Sequence, residues 1–506
     1  MSQPTIAELT AAAEKATDPF FVPSPSIGIG GVDPLGLREI NFDLMDEVLP
    51  GLNNVARHVR PFVVTTWAWH RAAEVARRSG LDGVNDQVIL DFVDRVDVIY
   101  VWSQFLRDPN ADLPGRDVIA PIIRSPKWTF GGSDWSARRK TRRLSTALMA
   151  PINYGPALKS MGWIQQHQHY PTIFLPSQAA APAVAAFEKK ISKFIDATAL
   201  STFGEVEVSA ADVASWAEAW ALDEPTETER EVMRMLLMGD GAPVGRQKGC
   251  ALMLEAGRTI KDEDLYVENL REVMAGTPSS FVAPDGLADA QAIWRKVQVR
   301  QLFRLALEAL LYWASSQLKD GARTTDFLVA RFIEETGAVT DWLKCEEGEA
   351  AGPTELQEGI VAALNDPTGE SLPKGVVNAL RLCLSEPHTP DPIPRPDRLP
   401  LDRARKEAEA WAAAGSTRDF LRNVFEKWVF AQHVYWSVGR GLADARARGK
   451  TLLRLKVVLE ENGWALAPGV KAAGKPRPSG DRLRTALTLA DECGLLIGDD
   501  DSEHQG

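Results

Sequence analysis

The sequence predicts a mainly α, multidomain helical protein with a few short strands and a small α+β region at its C-terminus. Apolar residues recur at three- and four-residue spacing, as they do along amphipathic helices, through the long segments 86–108, 290–321 and 417–446. Strand-like runs are short and scattered, and they lie at 172–175, 205–208, 464–467 and 494–497. Because strands and helices do not alternate, a Rossmann-type sheet is not expected.

The composition is that of a globular protein with enough apolar residues for a large core. The chain has 506 residues, of which 45% are hydrophobic and 25% charged, and these values are ordinary for globular domains. At roughly 100–200 residues per domain, this length predicts about three domains. The net charge of −12 makes the surface as a whole repel nucleic acid and anionic membranes, so any nucleic-acid contact has to come from a local basic patch.

The cysteines and the first residues of the chain predict a cytoplasmic protein. No C-x-x-C spacing suggests a zinc ribbon or a disulfide framework, since the cysteines are Cys250, Cys345, Cys383 and Cys493. The N-terminal stretch carries Glu8 and Glu14 and lacks the apolar segment of a signal peptide. The most apolar helical segment is interrupted by Arg304 and Glu308, so neither a membrane span nor a membrane partner is expected.

Proline and charge patterns divide the chain into five predicted segments. A helical N-terminal domain is predicted over 1–200 and a central helical domain over 201–384. The stretch SEPHTPDPIPRPDRLPLD at 385–402 is rich enough in proline to predict an extended, stiff linker. A C-terminal α+β module follows over 403–497, and the acidic residues 498–506 are predicted to be a disordered tail.

Two helix-then-strand patterns predict the fold of the C-terminal region. They are TLLRLKVVLEENGWALAP at 451–468 and GDRLRTALTLADECGLLIGDD at 480–500, joined by the basic loop GVKAAGKPRPSG. Two such units in succession predict a winged-helix-like module. A protein-interaction module is the alternative that the same pattern allows.

Three short motifs are explained better by structure than by chemistry. The glycine-rich SIGIGGVDPLG at 26–36 lacks the third glycine of a dinucleotide loop, because Asp33 stands there. His167 and His169 have the spacing of a metal-ligand pair on a strand, but no third ligand is evident nearby. His433 lies among aromatic residues of a helical segment, where a hydrogen-bonded core or interface histidine is expected. No metal and no cofactor are therefore predicted.

The strongest local charge feature is the basic patch, DWSARRKTRR at 134–143. Its cations are Arg138, Arg139, Lys140, Arg142 and Arg143. Trp128, Phe130 and Trp135 lie close to them in sequence, and basic residues interleaved with aromatics hold phosphates and stack bases. The patch with Trp135 is therefore a predicted binding site for DNA or RNA. The alternatives are a solvated helix face that pairs with acidic residues and a contact with an acidic partner protein.

A polar stripe runs along the central helical segment. Lys296, Arg300, Arg304 and Glu308 stand at four-residue intervals, which places them on one face of a helix. In an otherwise apolar helix this stripe predicts a buried ion-pair ladder, a seam between domains or the wall of a basic groove. The structural roles are favoured over the binding role.

The corner at 49–71, LPGLNNVARHVRPFVVTTWAWHR, combines cations with aromatic residues. A Pro-Gly pair ends the preceding helical segment, and Asn53 or Asn54 is placed to cap a short helix. Pro61 suits the first position of the next helix, which is predicted from 62 to about 78. The sequence therefore predicts a helix, a short helical hinge and a second helix.

The hinge of this corner carries the cations Arg57, His58 and Arg60. Backbone carbonyls at helix ends lack intrahelical partners, and Arg60 has five donors with which to bond them. Trp67 offers a large apolar side chain for burial nearby. We therefore expect Arg60 and Trp67 to have structural roles first and functional roles second.

The segment 50–67, with Arg60 and Phe62, resembles the N-terminal signature of a domain-of-unknown-function family of bacterial proteins. The signature runs approximately P-G-T-S-x-x-x-x-R-x-R-Y-F-x-x-x-x-W. The chain has His58 at the first arginine of the signature and Pro61 at its tyrosine. Members of this family are found among bacterial genes for phage and mobile-element defence and have no assigned catalytic residues, so the resemblance implies a context rather than a mechanism.

With this resemblance, the sequence predicts a non-catalytic component of a bacterial antiphage or mobile-element defence assembly. A protein partner in a multi-component system is expected, and DNA or RNA is a second partner through the basic patch. The alternative is an enzyme whose site is assembled from residues far apart in sequence, such as a metal-dependent nuclease. No catalytic residue is assigned on either interpretation.

Overall fold

The computed structural model describes most of the chain. The described residues are 26–27, 33–79, 86–140, 148–149, 153–261, 266–276, 281–345, 351–448 and 452–496. The predicted acidic tail at 498–506 lies outside them, and so do Arg142 and Arg143 of the basic patch. Arg139 and Lys140 are described only as part of a helical backbone.

Helices form most of the described chain, which confirms the predicted mainly α fold. In chain order they are α1 Arg38–Val48, α2 Val59–Arg78, α3 Asp86–Arg107, α4 Ala120–Ile123, α5 Gly132–Lys140, α6 Tyr154–Ser160, α7 Ala181–Lys190, α8 Thr198–Ser201, α9 Ala210–Trp216, α10 Glu227–Met238, α11 Val244–Gly257, α12 Val267–Met274, α13 Ala288–Gln317, α14 Thr325–Thr336, α15 Pro353–Asn365, α16 Leu372–Ser385, α17 Leu401–Ala414, α18 Thr417–Asn423, α19 Gln432–Arg448 and α20 Leu483–Glu492. A π-helical segment covers Val424–Ala431, and 3-10 turns cover Asp285–Leu287 and Pro396–Arg398. None of the helices described here is both long and apolar enough to cross a membrane.

The described strands are short and pair two by two. They are β1 Ser26–Ile27, β2 Lys127–Phe130, β3 Ile164–Gln166, β4 Phe174–Pro176, β5 Val206–Ser209, β6 Leu452–Leu453, β7 Val457–Glu460 and β8 Gly463–Leu466. β1 pairs with β6 in parallel, and the antiparallel pairs are β2 with β5, β3 with β4 and β7 with β8. The strands predicted at 172–175, 205–208 and 464–467 overlap β4, β5 and β8, whereas residues 494–496 of the fourth prediction form no strand.

Backbone contacts divide the chain into two compact units, each built from two segments. Unit 1 comprises Met1–Ile40 and Arg300–Pro478, and unit 2 comprises Asn41–Val299 and Ser479–Gly506. This division differs from the predicted domain ranges, because segments far apart in sequence pair within each unit. In unit 2, for example, the Asn54 side chain donates to the carbonyl oxygen of Gly480 at 3.1 Å. The predicted boundaries stay a prediction that proteolysis can test.

The core of unit 2 is built around α2. Trp67 and Trp69 of this helix are buried, and each meets a phenylalanine ring edge-on. The ring centroids lie 5.5 Å apart for Trp67 and Phe187 and 5.4 Å apart for Trp69 and Phe174. Helix α3 packs along α2 and is itself buried over most of 92–105. Aromatic contacts of this kind bury large apolar areas and stabilise a helix that also carries arginines and a histidine.

In unit 1 the second half of α13 is the central helix. Every residue from 301 to 311 is buried. Trp313 meets Phe425 of the π-helical segment with ring centroids 5.9 Å apart, and Phe303 meets Trp428 at 5.8 Å. The apolar periodicity that predicted this helix therefore belongs to a segment that is covered on all sides, as long core helices often are.

The helix predicted at the start of 451–468 is wrong, because this segment forms a hairpin of β7 and β8 across a two-residue turn. Its β-branched residues suit strands, and the two turn residues are Glu461 and Asn462, with Gly463 as the first residue of β8. At Gly463 the φ angle is +120°, and a Cβ atom there would lie 2.4 Å from the carbonyl oxygen of Arg323. A glycine is required at this point because Arg323 and Trp464 pair through their backbones.

The proline-rich stretch 385–402 lies within unit 1. Its middle is largely exposed, but its second half is fixed to neighbouring residues. Arg398 pairs with Glu39, with Nη2 and Oε2 3.1 Å apart. The buried Arg300 donates to the carbonyl oxygens of Arg398 and Leu399 at 2.8 and 2.9 Å. One end of the predicted linker is therefore attached to the core of unit 1.

Candidate functional site

The corner begins with a turn in place of the short helix predicted there. The Asn53 side-chain oxygen accepts the backbone N–H groups of Val55 and Ala56, both at 2.8 Å. An asparagine turn of this kind competes with helix formation. Residues 53–57 are accordingly non-helical, and the predicted short helix is wrong.

Helix α2 starts at Val59, before the predicted start at 62, because a carboxylate distant in sequence caps it. Glu492 Oε2 accepts the N–H of Val59 at 2.7 Å, and its Oε1 lies 2.6 Å from His58 Nδ1. Negative charge is favourable at a helix N-terminus. Pro61 fits into the first turn because the N–H that it lacks would have no helical partner there.

His58 lies between two carboxylates of unit 2. Its Nδ1 bonds Glu492, and a carboxylate partner at Nδ1 favours the tautomer that carries its proton on this nitrogen. Its Nε2 is 3.6 Å from Asp112 Oδ2, and Arg57 Nη1 donates to the same oxygen at 2.8 Å. Arg57 and His58 of the hinge are thus held by carboxylates that fix the corner.

Arg60 is fully buried, and its donors are used within unit 2. Its Nη1 lies 2.8 Å from Oε1 of Glu229, which is also fully buried. Its Nε donates to the carbonyl oxygen of Ala221 at 3.2 Å, and its Nη2 donates to that of Glu224. Burial raises the pKa of Glu229, and the nearby Arg60 charge opposes that rise. Arg60 bonds backbone carbonyls, but these belong to Ala221 and Glu224 and not, as the sequence predicted, to the helix ends of the corner.

Trp67 connects α2 with α7. Its side chain is fully buried, and its Nε1–H donates to Glu188 Oε1 at 3.0 Å. The neighbouring Phe187 covers the Trp67 ring edge-on. These contacts agree with the structural role that we expected for Trp67.

Three further buried arginines of unit 2 bond backbone carbonyls as Arg60 does. The acceptors are the carbonyl oxygens of Leu200 and Ile195 for Arg71, of Gly204 and Thr202 for Arg95, and of Leu237, Leu236 and Pro50 for Arg246. Each guanidinium supplies donors to carbonyls of loops and helix ends that lack backbone partners. The sequence gives no signal for these roles, because most of the acceptors lie about a hundred residues or more away along the chain.

Trp135, the aromatic residue within the basic patch, is not available for stacking. Trp135 is only 1% exposed and packs against Phe130, with ring centroids 5.0 Å apart, so it does not present a face to a base. Trp128 is half-buried, and the Arg138 guanidinium lies 5.6 Å from its ring. The remaining basis for nucleic-acid contact is therefore charge, not stacking.

A cluster of potential metal ligands lies where the corner ends on α2. His70 and Glu74 stand one turn apart on α2, with Nε2 and Oε1 3.8 Å apart, and Glu188 Oε1 of α7 lies 4.0 Å from the same Nε2. One ligand atom from each residue fits within a group no more than 4.8 Å across. The four-residue spacing of His70 and Glu74 is visible in the sequence, but the approach of Glu188 is not.

A polar groove of about 710 Å³ opens in unit 1 along α13, α14 and the loop that leads into α16. This volume is typical of ligand-binding clefts. The charged residues that line the polar groove are Lys319, Arg331, Lys374, Glu335, Asp366 and Glu370. Glu335 is held in place, because its Oε2 accepts Trp313 Nε1–H at 2.9 Å and its Oε1 lies 2.9 Å from Arg331 Nε. Lys319 and Lys374 are exposed.

A second, smaller cavity of about 240 Å³ lies in unit 2. Its polar groups bond to one another. Asp91 accepts hydrogen bonds from Gln87 Nε2, at 2.7 Å, and from Ser136 Oγ, while Arg95 donates to the carbonyl oxygen of Gly204. Burial lowers the pKa of Arg95 to about 10, so the guanidinium keeps its charge at neutral pH. These contacts indicate a structural role for the cavity wall.

The histidines singled out in the sequence have local partners. His433 is buried, its Nδ1 lies 2.8 Å from the carbonyl oxygen of Pro34, and its Nε2 accepts the N–H of Lys456 at 2.8 Å. This confirms the expected hydrogen-bonded core histidine. His167 Nδ1 accepts the backbone N–H of His169 at 3.1 Å, which draws that nitrogen away from metal binding.

The polar stripe of α13 includes a buried ion pair. Arg304 Nη1 lies 2.6 Å from Glu308 Oε2, and Arg304 Nη2 donates to the carbonyl oxygen of Arg477 at 2.9 Å. Burial raises the pKa of Glu308, and the Arg304 charge opposes the rise. Together with the contacts of Arg300 described above, this pair gives a structural role to the part of the stripe that lies in unit 1, from Arg300 to Glu308.

Comparisons of the chain with protein-family models, with curated proteins and with solved structures found no significant match. The family resemblance of the segment 50–67 therefore stays a prediction. The geometry of the described residues is the basis on which function is proposed.

Proposed function

We propose that the protein is a non-catalytic binding component of a bacterial antiphage or mobile-element defence assembly, located in the cytoplasm. The observation that carries the binding role is the polar groove of unit 1, which combines an accessible volume of about 710 Å³ with charged side chains of both signs. The defence context comes from the resemblance of the segment 50–67. Four free cysteines agree with a reducing compartment.

The charges of the polar groove favour a protein partner over nucleic acid. Lys319, Arg331 and Lys374 would attract phosphates, but the three carboxylates that line the same groove would repel them. A polypeptide segment that carries both signs can complement both sets, and such complementarity gives specificity. The net charge of −12 also disfavours a polyanion. We therefore assign the groove to a mixed-charge segment of a partner protein.

The contacts of the corner support a non-catalytic role. The guanidinium of Arg60 bonds Glu229 and loop carbonyls, and the Nε1–H of Trp67 bonds Glu188. Side chains held in this way stabilise the fold and are not available to a substrate. The alternative, a metal-dependent enzyme, requires a metal site, for which His70 with its two glutamates is the candidate group.

Quantitative co-purification tests the proposal. Lys319→Glu with Lys374→Glu reverses two exposed charges of the polar groove, and Lys406→Glu with Arg258→Glu makes the same charge change at side chains that are 75% and 70% exposed. We expect a partner protein to be recovered with the wild type and the control variant and to be lost with the groove variant. Equal recovery with all three proteins would overturn the assignment of the groove.

The melting temperature serves as the companion measurement. Because the substituted lysines of the groove are exposed, all variants should melt within a degree or two of the wild type. A groove variant that melts normally and loses its partner supports binding through the groove. The contrary outcome is that nucleic acid is recovered with the wild type, and that nuclease treatment then removes both the nucleic acid and all co-purified proteins. That result would favour a protein that binds a polyanion.

A further inference from the structure

The surface of α2 next to the corner brings three metal-binding side chains together. His70 Nε2 lies 3.8 Å from Glu74 Oε1 and 4.0 Å from Glu188 Oε1, and the three ligand atoms lie within 4.8 Å of one another. The side chains of His70, Glu74 and Glu188 are 36%, 21% and 27% exposed. The group is therefore neither sealed in the core nor spread over open surface.

We propose that His70, Glu74 and Glu188 form a binding site for a divalent transition-metal ion of the zinc type. One imidazole and two carboxylates are ligands that zinc, manganese and iron accept, and three protein ligands leave a coordination position open to water. This proposal is independent of the polar groove, which lies in the other unit. It names a ligand class that the sequence alone did not predict.

The two distances from His70 Nε2 fit a site that tightens slightly around an ion. Zinc–ligand bonds of about 2.1 Å in a tetrahedron place neighbouring ligand atoms about 3.4 Å apart. The two distances measured from His70 Nε2 exceed this value by about half an ångström, which small side-chain rotations supply. A cation between Glu74 and Glu188 also relieves the repulsion of two carboxylates held close together.

Buried neighbours orient both carboxylates. Trp67 Nε1–H donates to Oε1 of Glu188 at 3.0 Å. Arg71, only 2% exposed, donates to Oε2 of Glu74 at 3.0 Å and leaves Oε1 directed towards His70. Partners of this kind fix the direction of metal ligands in proteins. They set this cluster apart from a chance grouping of flexible surface acids.

The competing explanation is an ion-pair cluster without a metal. Protonated His70 would pair with both glutamates, and the charges of Arg71 and Arg78 near Glu74 weaken the attraction for a second cation. The two explanations differ in metal uptake, because a metal site takes up a stoichiometric ion and an ion-pair cluster takes up none.

The experiment uses the full-length chain stripped of metal by a chelator and titrated with Zn²⁺. Glu74→Gln and Glu188→Gln keep a side-chain oxygen for Arg71 and for Trp67, so these variants remove a ligand charge without removing the supporting hydrogen bonds. His70→Ala removes the imidazole. The matched control is His167→Ala with His169→Ala, which removes two imidazoles whose ring centroids lie 6.0 Å apart on another segment. Cys345→Ser controls for the exposed thiol.

We expect one Zn²⁺ per chain by elemental mass spectrometry, and a higher melting temperature of the wild type with the metal than without it. His70→Ala and Glu188→Gln should each weaken binding at least tenfold, while both control variants should bind as the wild type does. No zinc uptake by the wild type would overturn the proposal and leave an ion-pair cluster. Uptake that survives in His70→Ala but disappears in a control variant would overturn it as well, because the ion would then lie elsewhere.

Discussion

Arg60 and Glu229 form an ion pair in which both side chains are fully buried, with Nη1 and Oε1 2.8 Å apart. The pair joins the corner to the first turn of α10, where Glu229 also completes a capping box with Thr226. Removing two charges from water costs several kcal/mol each, so such a pair persists only where additional hydrogen bonds satisfy both groups. The carbonyl oxygens of Ala221 and Glu224 supply them for Arg60.

Arg60→Met should destabilise unit 2 by about 3–5 kcal/mol, because the buried Glu229 carboxylate loses its counter-charge. Glu229→Gln removes that charge and keeps the side-chain oxygen of the capping box. The double variant should therefore recover part of the loss, while an orphaned loop carbonyl still costs about 1–3 kcal/mol. Urea denaturation of the four proteins measures the coupling. If the loss in the double variant equals the sum of the losses in Arg60→Met and Glu229→Gln, the two charges do not interact.

Trp67→Ala should lower stability by about 3–5 kcal/mol, because it removes a fully buried ring from the contact between α2 and α7. Trp67→Phe keeps a six-membered ring but loses the rest of the indole together with the Nε1–H that bonds Glu188, so its effect should be smaller than that of Trp67→Ala. Thermal melting ranks the two variants. A Trp67→Ala variant that melts like the wild type but loses its binding partner would make Trp67 a functional residue.

The stability of unit 1 should fall on acidification because of His433. Burial lowers the pKa of His433 to about 4, against the effect of its bond to Pro34. The unfolded chain has a histidine pKa of about 6.5. The neutral imidazole therefore stabilises the fold above pH 6.5, and this contribution is lost as the pH falls from 6.5 towards 4. Between pH 7 and pH 5 the loss amounts to about 2 kcal/mol.

His433→Gln isolates this contribution from that of the carboxylates, which titrate in the same range. Glutamine can donate to the Pro34 carbonyl or accept from the Lys456 N–H, and it does not titrate. Urea midpoints at pH 7 and pH 5 should therefore fall more steeply for the wild type than for the variant. If the urea midpoint falls equally for the wild type and the variant, His433 is protonated in the folded protein without a cost in stability.

The long helices could be predicted from the sequence because their pattern is local. Helix α2 ends at Arg78, as its periodicity predicted, and α13 covers most of the predicted segment. The start of α2 could not be predicted, since its cap comes from Glu492, a residue more than four hundred positions away. The same limit applies to the buried arginines, whose carbonyl acceptors become neighbours only after folding.

The errors in the C-terminal region and the candidate sites have related causes. Segment 451–468 combines apolar spacing that suits a helix with β-branched residues that suit strands, and it forms strands. Trp135 looked like a stacking residue because sequence does not reveal burial. The third potential ligand beside His70 and Glu74 is Glu188 of α7, which lies close to them only in the folded chain.

If the basic patch binds nucleic acid, it does so through charge. Arg138→Glu with Arg142→Glu should then weaken binding to DNA or RNA and flatten its dependence on salt, because fewer counterions are released. Lys406→Glu with Arg258→Glu supplies the same charge change elsewhere and should have a smaller effect. Fluorescence anisotropy over a range of salt concentrations measures both slopes. A wild type that does not bind even at low salt would assign the patch to a protein contact or to internal ion pairs.

Limited proteolysis distinguishes the predicted linker at 385–402 from a segment that belongs to unit 1. The middle of this stretch is exposed, so a protease of broad specificity should cut there. If 403–497 were a separate domain, the cut would release a folded fragment of about a hundred residues. The contacts of Arg300 with the carbonyl oxygens of Arg398 and Leu399 lead us to expect that the fragment stays attached.

The nicked protein should therefore run as two bands in a denaturing gel and elute as one species in gel filtration under native conditions. Arg300→Ala is the informative variant, because it removes the buried guanidinium that bonds the Arg398 and Leu399 carbonyls and should let the fragment separate more readily. The bond between Arg398 and Glu39 is more exposed, so Glu39→Gln should have a weaker effect. A fragment that elutes alone from the nicked wild type, and remains folded, would restore the predicted domain boundary at 385–402.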